Sequence, residues 1–127
     1  MPSKAFSKSL RLLNASDYQS VFNDAPIRAS HPQLLILSRP NQGTTPRLGL
    51  VIAKKHIRLA VQRNRIKRIL RETFRLHQQD LGGIDAVVLA RAGLDQLDNQ
   101  QLHKLFRKQW GRIIKKAKKQ SAPEHSS

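Results

Sequence analysis

The chain has 127 residues, of which 24 are Lys or Arg and 8 are Asp or Glu, so its formal net charge is +16 at pH 7. This length suits one folded domain, and so strong a positive field favours a nucleic acid or an anionic surface as partner. The absence of cysteine excludes disulfides and thiolate metal sites, and no apolar run approaches the ~20 residues of a membrane-spanning helix. We therefore expect a cytoplasmic protein without a membrane partner.

The first predicted helix follows a basic, irregular stretch over residues 1–13 and ends near Asn23. Tyr18, Val21 and Phe22 have the spacing i, i+3, i+4, which places them on one helical face. Two interpretations fit these residues. They are core side chains, or Tyr18 and Phe22 line a groove in which unpaired bases stack.

The next part of the chain predicts β-structure. Pro26 and Pro32 bracket a loop or a short strand. Residues 33–39 and 47–53 are short apolar runs on either side of a turn-forming stretch rich in Pro, Gly, Asn and Thr, which is typical of two strands. We expect these two strands to pair as a hairpin.

The main predicted helix begins near residue 59 and divides into an apolar and a basic face. At 100° per residue, one stripe is suited to a core; its members are Ile66, Ile69, Leu70, Thr73 and Phe74. The opposite stripe carries mostly cations about one turn apart; its members are Asn64, Lys67, Arg68, Arg71 and Arg75. A solvated basic face and a surface for a polyanion both fit this pattern, and the density of cations favours the polyanion.

Glycines at 82 and 83 are suited to end this helix, and residues 84–91 predict a buried strand. Asp98 and Gln101 have the spacing of a capping box, which predicts a last helix over about 99–117. Residues 120–127 predict a disordered tail, so that one domain spans residues 1–119. The predicted order α-β-β-(β)-α-β-α indicates an α+β, two-layer α/β sandwich. The strand–helix–strand unit would form a right-handed crossover if its strands are parallel neighbours.

Protein-borne catalysis is not indicated by the remaining polar residues. The five histidines lack the spacing of a metal site, and neither a phosphate-binding loop nor a nucleophile elbow is present. Asp85 is the only carboxylate inside a predicted strand, whereas a two-metal nuclease needs several carboxylates at one place. The chain thus carries groups that bind and position a polyanion, and we expect no metal bound by the protein.

One block of the basic helix resembles a known family. Arg-Asn-Arg-Ile-Lys-Arg at residues 63–68, preceded by Leu-Gly-Leu-Val-Ile-Ala-Lys-Lys at 48–55, is similar to the signature of the bacterial ribonuclease P protein subunit. Residues 17–22 and 85–90 resemble the family's first helix and last strand. The likeness covers about residues 6–116, and Ala-Lys-Lys at 53–55 favours the proteobacterial type.

The resemblance implies a function. The protein would be the RNA-binding subunit of a ribonucleoprotein endonuclease that removes the 5′ leader from precursor tRNA. Catalysis would belong to the RNA subunit, with Mg²⁺ bound there, and no obligate protein partner is expected. The resemblance also implies a left-handed βαβ crossover, as in the ribosomal protein S5 domain 2-like fold, against the usual hand.

The resemblance further implies three sets of RNA contacts. The helix face toward the catalytic RNA would comprise Arg63, Asn64, Arg65, Lys67, Arg68 and Arg71. The groove for the single-stranded leader would comprise Tyr18, Phe22, Lys54 and Lys55. The basic N-terminal arm would comprise Phe6, Lys8 and Arg11. The alternatives are a ribosomal RNA-binding structural protein, a DNA-binding module and, least favoured, a protein-only nuclease.

Overall fold

The computed structural model describes residues 15–121 as an α+β fold, which confirms the predicted class. A four-stranded sheet carries two long helices on one face and a short helix on the other. The elements in chain order are α1 (Ala15–Asn23), β1 (Ile27–His31), β2 (Leu34–Pro40), β3 (Arg47–Val51), α2 (Ala60–Leu76), α3 (Gln78–Leu81), β4 (Ile84–Ala90) and α4 (Asn99–Ser121). Within the described residues, every helix is too short or too polar to cross a bilayer.

The sheet has the strand order β1-β2-β4-β3. β4 pairs antiparallel with β2, Ile36 lying opposite Val88, and parallel with β3, Leu50 lying opposite Val88. The hairpin predicted over residues 33–53 is therefore wrong, because β4 separates its two strands. β4 takes a central position beside β2 because it is largely apolar on both faces, with six of its seven residues buried, whereas an edge strand needs only one apolar face.

The connection from β3 to β4 passes through α2 and α3 and joins two parallel neighbours. The parallel βαβ unit is thus confirmed, and its left-handed path stays a prediction. Gly82 follows α3 with φ of 62°, a left-handed backbone value that glycine adopts without steric cost. The chain can therefore turn sharply from α3 into the buried start of β4.

The principal core lies between the sheet and the helices α2 and α4. All five members of the predicted α2 stripe are buried in this core. α4 contributes Leu102, Phe106, Trp110 and Ile113, which are buried as well. The rings of Phe74 and Trp110 meet edge to face with centroids 5.1 Å apart. The Trp110 indole N–H donates to Thr73 Oγ1 at 3.0 Å, so this polar group is satisfied inside the core.

The start of α4 is fixed by the predicted capping box. The Gln101 backbone N–H donates to Asp98 Oδ1 at 2.8 Å, and the Asp98 N–H donates to Gln101 Oε1 at 2.9 Å. These bonds satisfy donors that lack partners at a helix start. α4 then continues to Ser121, four residues past the predicted end, and the last six residues of the chain lie outside the described part.

A smaller cluster lies on the opposite face of the sheet, under α1. Alternate residues of a strand point to opposite faces, so β2 sends Leu34 and Ile36 to the principal core while Leu37 faces α1. Val21 of α1 packs there against Leu37 and Val87, and all three are buried. This small contact holds α1 across the sheet, and α1 thereby forms one wall of a groove on this face.

Candidate RNA-binding surfaces

The outer side of α2 carries the first surface, which we name the α2 face and define as Asn64, Lys67, Arg68 and Arg71. Asn64 and Arg68 are exposed, and Lys67 and Arg71 are half-buried. The buried stripe fixes the rotation of α2, so the opposite stripe points to solvent. Cations three and four residues apart lie on neighbouring turns. This arrangement can bind a phosphate backbone without reading its sequence.

Arg63 and Arg65 point away from the α2 face and bond to neighbouring loops. Arg63 donates from Nη1 to the backbone oxygens of Ile57 and Arg58 at 2.9 and 2.8 Å. It therefore closes the loop before α2 onto the helix start. α2 begins after Leu59 without a side-chain cap. The two bonds from Arg63 therefore fix the first turn of α2 to the preceding loop in place of a cap.

Arg65 connects α2 to the first residue of α4 and to the segment before it. Its Nη1 donates to Asn99 Oδ1 at 2.9 Å, its Nη2 to the Asp95 backbone oxygen at 3.2 Å, and its Nε to Gln62 Oε1 at 2.8 Å. Arg65 is half-buried as a result. Of the six residues predicted for this surface, the structure thus brings four together on the α2 face and turns two toward other parts of the fold.

The second surface lies beside α1, and we name it the α1 groove. Its floor is a row of half-buried apolar side chains on three adjacent strands, Leu35, Leu89 and Val51. The register places Leu35 opposite Leu89 and Leu89 opposite Val51, so the three residues form a continuous row across the sheet. α1 provides the wall through Tyr18, which packs against this cluster, and Phe22 follows four residues later on the same side of the helix.

The two aromatic residues of α1 are placed differently. Tyr18 is half-buried, and its hydroxyl accepts a hydrogen bond from the Leu50 backbone N–H at 3.2 Å, which ties α1 to the edge strand β3. Phe22, one turn further along, is 43% exposed although it is large and apolar. An exposed phenyl ring beside an apolar floor can accept an unstacked base. Of the two interpretations of this helical face, the core role fits Val21, which is fully buried, and does not fit Phe22.

Lys54 and Lys55 follow directly after β3 and are both exposed. They lie in a turn in which the His56 and Ile57 backbone N–H groups donate to the Ala53 oxygen at 3.1 and 3.0 Å. Ile57 is fully buried and anchors this turn. Because Val51 is the last residue of β3, the two cations lie at the end of the sheet that carries the apolar row. The predicted arm residues Phe6, Lys8 and Arg11 lie outside the described part of the chain.

Asp85, the carboxylate in a strand, has a structural role. Arg47 donates to it through Nε at 2.9 Å and Nη2 at 2.7 Å, and the Asn41 side-chain amide donates at 2.9 Å. The hydrogen bond with Asp85 raises the pKa of Arg47. Both carboxylate oxygens are therefore engaged in joining β3, β4 and the loop between β2 and β3. Among residues 15–121, no three His, Cys, Asp or Glu side chains group as metal ligands do.

The sequence interpretation missed the floor of the α1 groove. Leu35, Val51 and Leu89 lie in strands that are apolar on both faces, so their alternation does not show which residues point away from the main core. The row also depends on β4 lying between β2 and β3, which the predicted hairpin excluded. Only a correct strand order would have allowed the sequence to predict that these three residues lie side by side.

The family model of ribonuclease P matches residues 6–114. The ribonuclease P protein component of Saccharophagus degradans is 52% identical over 120 residues, covering 94% of this chain and 89% of that protein. The component of Marinobacter nauticus is 50% identical over 126 residues, covering 99% of this chain and 94% of that protein.

Solved structures agree with these relatives. The Staphylococcus aureus RNase P protein superposes with a TM-score of 0.72 at 27% identity, covering 87% of this chain and 97% of that one. The Thermotoga maritima RNase P protein gives a TM-score of 0.61 at 28% identity, covering 77% and 96%. The match of the family model and the identity to these relatives show that this chain belongs to the ribonuclease P protein family.

Proposed function

We propose that this chain is the RNA-binding protein subunit of ribonuclease P and assists the catalytic RNA in removing the 5′ leader from precursor tRNA. Membership of the family supports this role, and the α1 groove is the observation that carries it. A leader varies in sequence, so the protein must hold it without reading base edges. An exposed aromatic ring, an apolar floor and cations at one end suit that task, because stacking and phosphate contacts tolerate any base.

In this proposal the leader lies in the α1 groove. One or more bases rest on Phe22 and on the row formed by Leu35, Leu89 and Val51, while Lys54 and Lys55 contact phosphates. Tyr18 keeps the wall in place through its hydrogen bond to the β3 backbone. Base–aromatic stacking contributes about 1–3 kcal/mol per base, so Phe22 alone would supply a measurable preference for substrates that carry a leader.

The α2 face is the proposed contact to the catalytic RNA. Its cations would release condensed counterions from the RNA backbone, which gives affinity that depends on salt and not on sequence. Arg63 and Arg65 contribute by holding the loops on both sides of this face through their five hydrogen bonds to the chain. A rigid surface loses less conformational entropy when it binds.

Phosphodiester cleavage is assigned in this proposal to the RNA subunit and to the Mg²⁺ that it binds. The engagement of Asp85 by Arg47 and Asn41 supports this division, because a buried carboxylate whose charge is already paired with a guanidinium is a poor ligand for a metal ion. A substrate held by both RNA and protein gains from effective concentration. Since precursor tRNA is the substrate, the proposed compartment is the cytoplasm.

The Phe22→Ala variant tests the groove. We expect the reconstituted enzyme to lose its preference for leader-bearing over mature tRNA by about 5- to 150-fold, which is the loss of one stacked base. The measurement is the ratio of the two dissociation constants. Because Phe22 is 43% exposed, circular dichroism and urea unfolding should change little.

Tyr18→Phe is the matched control, since it removes only the hydroxyl and keeps the ring. Because it removes the hydrogen bond from the Leu50 N–H but no stacking surface, it should lower the preference for the leader far less than Phe22→Ala does. If Phe22→Ala folds normally and the ratio of dissociation constants does not move, the leader does not lie against this side chain and the groove assignment is wrong.

A further inference from the structure

The outer edge of the sheet at β1 is covered by cations of α4 and of the segment after β4. β1 is an edge strand, so alternate residues turn their backbone oxygens away from β2. Lys116 Nζ donates to the Arg28 oxygen at 2.6 Å, and Arg112 Nη1 donates to the Ser30 oxygen at 3.2 Å. Arg91 Nη1 adds a bond to the His31 oxygen at 2.8 Å. We name this row of cations, Arg91, Arg112 and Lys116, the β1-edge row.

Backbone oxygens, not carboxylates, hold the β1-edge row. Successive outward oxygens of a strand are roughly 6.6 Å apart, which sets the spacing of Lys116 and Arg112 along β1, while Arg91 binds the last residue of the strand, His31. Among residues 15–121, ion pairs join Arg47 to Asp17 and to Asp85, and His103 lies 4.0 Å from Glu72, so the basic partners of these contacts lie outside the row. The positive charges are therefore positioned but not neutralised.

Two more cations extend the row along α4. Lys104 and Lys108 are exposed and line a shallow cleft with His31 and Gln33. Residues 104, 108, 112 and 116 are each four apart, which keeps them on one side of the helix. Burial chiefly lowers the pKa of His31, and the charges of Arg112, Lys108 and Arg91 lower it further. The row and the cleft thus form one continuous positive surface.

This surface is separate from the two surfaces already assigned. The sheet order places β1 at one edge and β3 at the other. α4 packs against β1, whereas α2 lies toward β3, so the β1-edge row and the α2 face belong to opposite sides of the molecule. The α1 groove lies on the other face of the sheet, with its cations Lys54 and Lys55 at the end of β3.

The chemistry of this surface favours an RNA duplex over an apolar partner or a single strand. The four large apolar side chains that are exposed among the described residues, Phe22, Leu59, Val61 and Leu76, all lie outside β1 and α4. Both aromatic residues of α4, Phe106 and Trp110, are fully buried. Single strands are bound largely by stacking, whereas duplex RNA is bound through its phosphates and 2′-hydroxyls.

We propose that the β1-edge row and the adjoining Lys104 and Lys108 form a second binding surface for the backbone of double-helical RNA, used at the same time as the α2 face. One copy of the chain then bridges two RNA segments. This inference goes beyond the role in leader binding and does not depend on it, because it concerns residues outside the α1 groove. The test therefore uses the free protein and a short RNA duplex without a leader.

Titration calorimetry with a random-sequence RNA duplex about one turn long measures the number of sites. The native chain should bind two duplexes, and a Lys67→Gln/Arg68→Gln variant should retain one. In that variant background, Lys108→Gln should lower the slope of log K against log salt by roughly 0.7–0.9. Lys108 has no hydrogen bond among the contacts described above, so this substitution should leave the fold intact.

Arg107→Gln in the same background is the matched control. Arg107 is the sequence neighbour of Lys108 and is also exposed, but it projects about 100° away around the helix, off the line of residues 104, 108, 112 and 116. It should leave the slope unchanged. A single duplex bound by the native chain would overturn the proposal, as would equal losses from Lys108→Gln and Arg107→Gln, which would mean that only net charge matters. Either result leaves the Phe22 experiment unaffected.

Discussion

At the scale of single residues, Arg65 and Arg68 show that two cations in one motif can have different physical roles. Both are arginines three positions apart on α2. Arg65 makes three hydrogen bonds to Gln62, Asp95 and Asn99, whereas Arg68 is exposed on the α2 face. The periodicity of the sequence could predict which side of the helix each occupies. It could not reveal the partners of Arg65, because two of them are 30 or more residues away.

Substituting these two arginines should separate folding from binding. Arg65→Ala should lower the free energy of unfolding by about 1–2 kcal/mol, since it removes several partly solvated hydrogen bonds. Arg68→Ala should change stability by less than about 0.5 kcal/mol, as is usual for surface sites. It should nevertheless lower the salt slope of RNA binding by roughly 0.7–0.9. Urea unfolding and binding at several salt concentrations provide the two measurements.

The reverse pattern would contradict this assignment. If Arg68→Ala destabilises the chain as much as Arg65→Ala does, Arg68 has a structural role. Arg68→Lys is the conservative control, because it retains one positive charge and should preserve the salt slope.

His31 makes part of the stability dependent on pH. Its Nδ1 accepts a hydrogen bond from the Gln33 backbone N–H at 3.0 Å, which requires that nitrogen to be unprotonated. Burial first, and then Arg112, Lys108 and Arg91, lower the pKa of His31 from 6.5. The unfolded chain therefore binds more protons than the folded chain as the pH falls through and below 6.5. The stability contributed by neutral His31 is present above that value and is lost as the pH falls toward the lowered pKa of the folded state.

His31→Asn should remove this pH dependence, since asparagine offers the Gln33 N–H an oxygen acceptor that does not titrate. We expect the urea midpoint of the native chain to fall more between about pH 7.5 and about pH 5.5 than that of the variant. The two proteins differ only at this position, so the difference between the two shifts isolates His31. Equal shifts would show that its environment does not favour the neutral ring.

At the scale of elements, α2 and α4 were predicted well because each has one apolar stripe. In a helix that packs on one face only, apolar residues recur with a period of about 3.6 residues, so the buried face can be read from the sequence. All five members of the α2 stripe are buried. The sheet was predicted less well. Its strands were found, but the partner of β2 and β3 is β4, whose first residue, Ile84, follows the end of β3 by more than 30 positions. Strand pairing over such a distance leaves no local pattern to read.

The capping box before α4 is an element whose loss should have a defined cost. Asp98→Ala removes the acceptor for the Gln101 N–H and should lower the free energy of unfolding by about 0.5–2 kcal/mol. Asp98→Ser keeps a capping oxygen and should retain most of the stability. Urea unfolding measures both variants.

The same substitution also tests how the elements are coupled. The residue after the cap, Asn99, accepts a hydrogen bond from Arg65, so fraying of the first turn of α4 should weaken that contact. The effects of Asp98→Ala and Arg65→Ala should therefore not be additive in the double variant, as expected for neighbouring sites. Additive losses would show that the cap and the bridge from α2 act independently.

At the scale of the whole molecule, a net charge of +16 sits on a fold with little acidic compensation. Among residues 15–121, Arg47 pairs with Asp17 and Asp85 and His103 contacts Glu72, so these contacts engage three of the eight acidic side chains of the chain. The remaining field attracts RNA and also raises the electrostatic cost of the compact state. A bound RNA backbone neutralises part of this charge and so lowers the electrostatic cost of the compact state. RNA should therefore stabilise the fold as well as occupy its surfaces.

This balance leads to a prediction for the reconstituted enzyme. Mg²⁺ and protein cations both screen the repulsion between RNA phosphates, so the protein should lower the Mg²⁺ concentration needed for leader removal. The benefit should shrink as monovalent salt rises, because the Debye length falls from about 10 Å at 0.1 M to about 3 Å at 1 M. The measurement is the rate of leader cleavage by the catalytic RNA against Mg²⁺ concentration, with and without the protein.

The protein without the RNA should cleave no precursor tRNA at any Mg²⁺ concentration. The Lys67→Gln/Arg68→Gln variant should require more Mg²⁺ than the native chain, because the α2 face would then neutralise fewer phosphates. Phe22→Ala leaves the charge of the protein unchanged, so it should not alter the Mg²⁺ concentration that the enzyme needs to bind mature tRNA. If the RNA-free protein cleaved the leader and a substitution of Asp85 abolished that cleavage, the catalytic chemistry would lie in this chain. The hydrogen bonds from Arg47 and Asn41 to the Asp85 carboxylate lead us to expect no such cleavage.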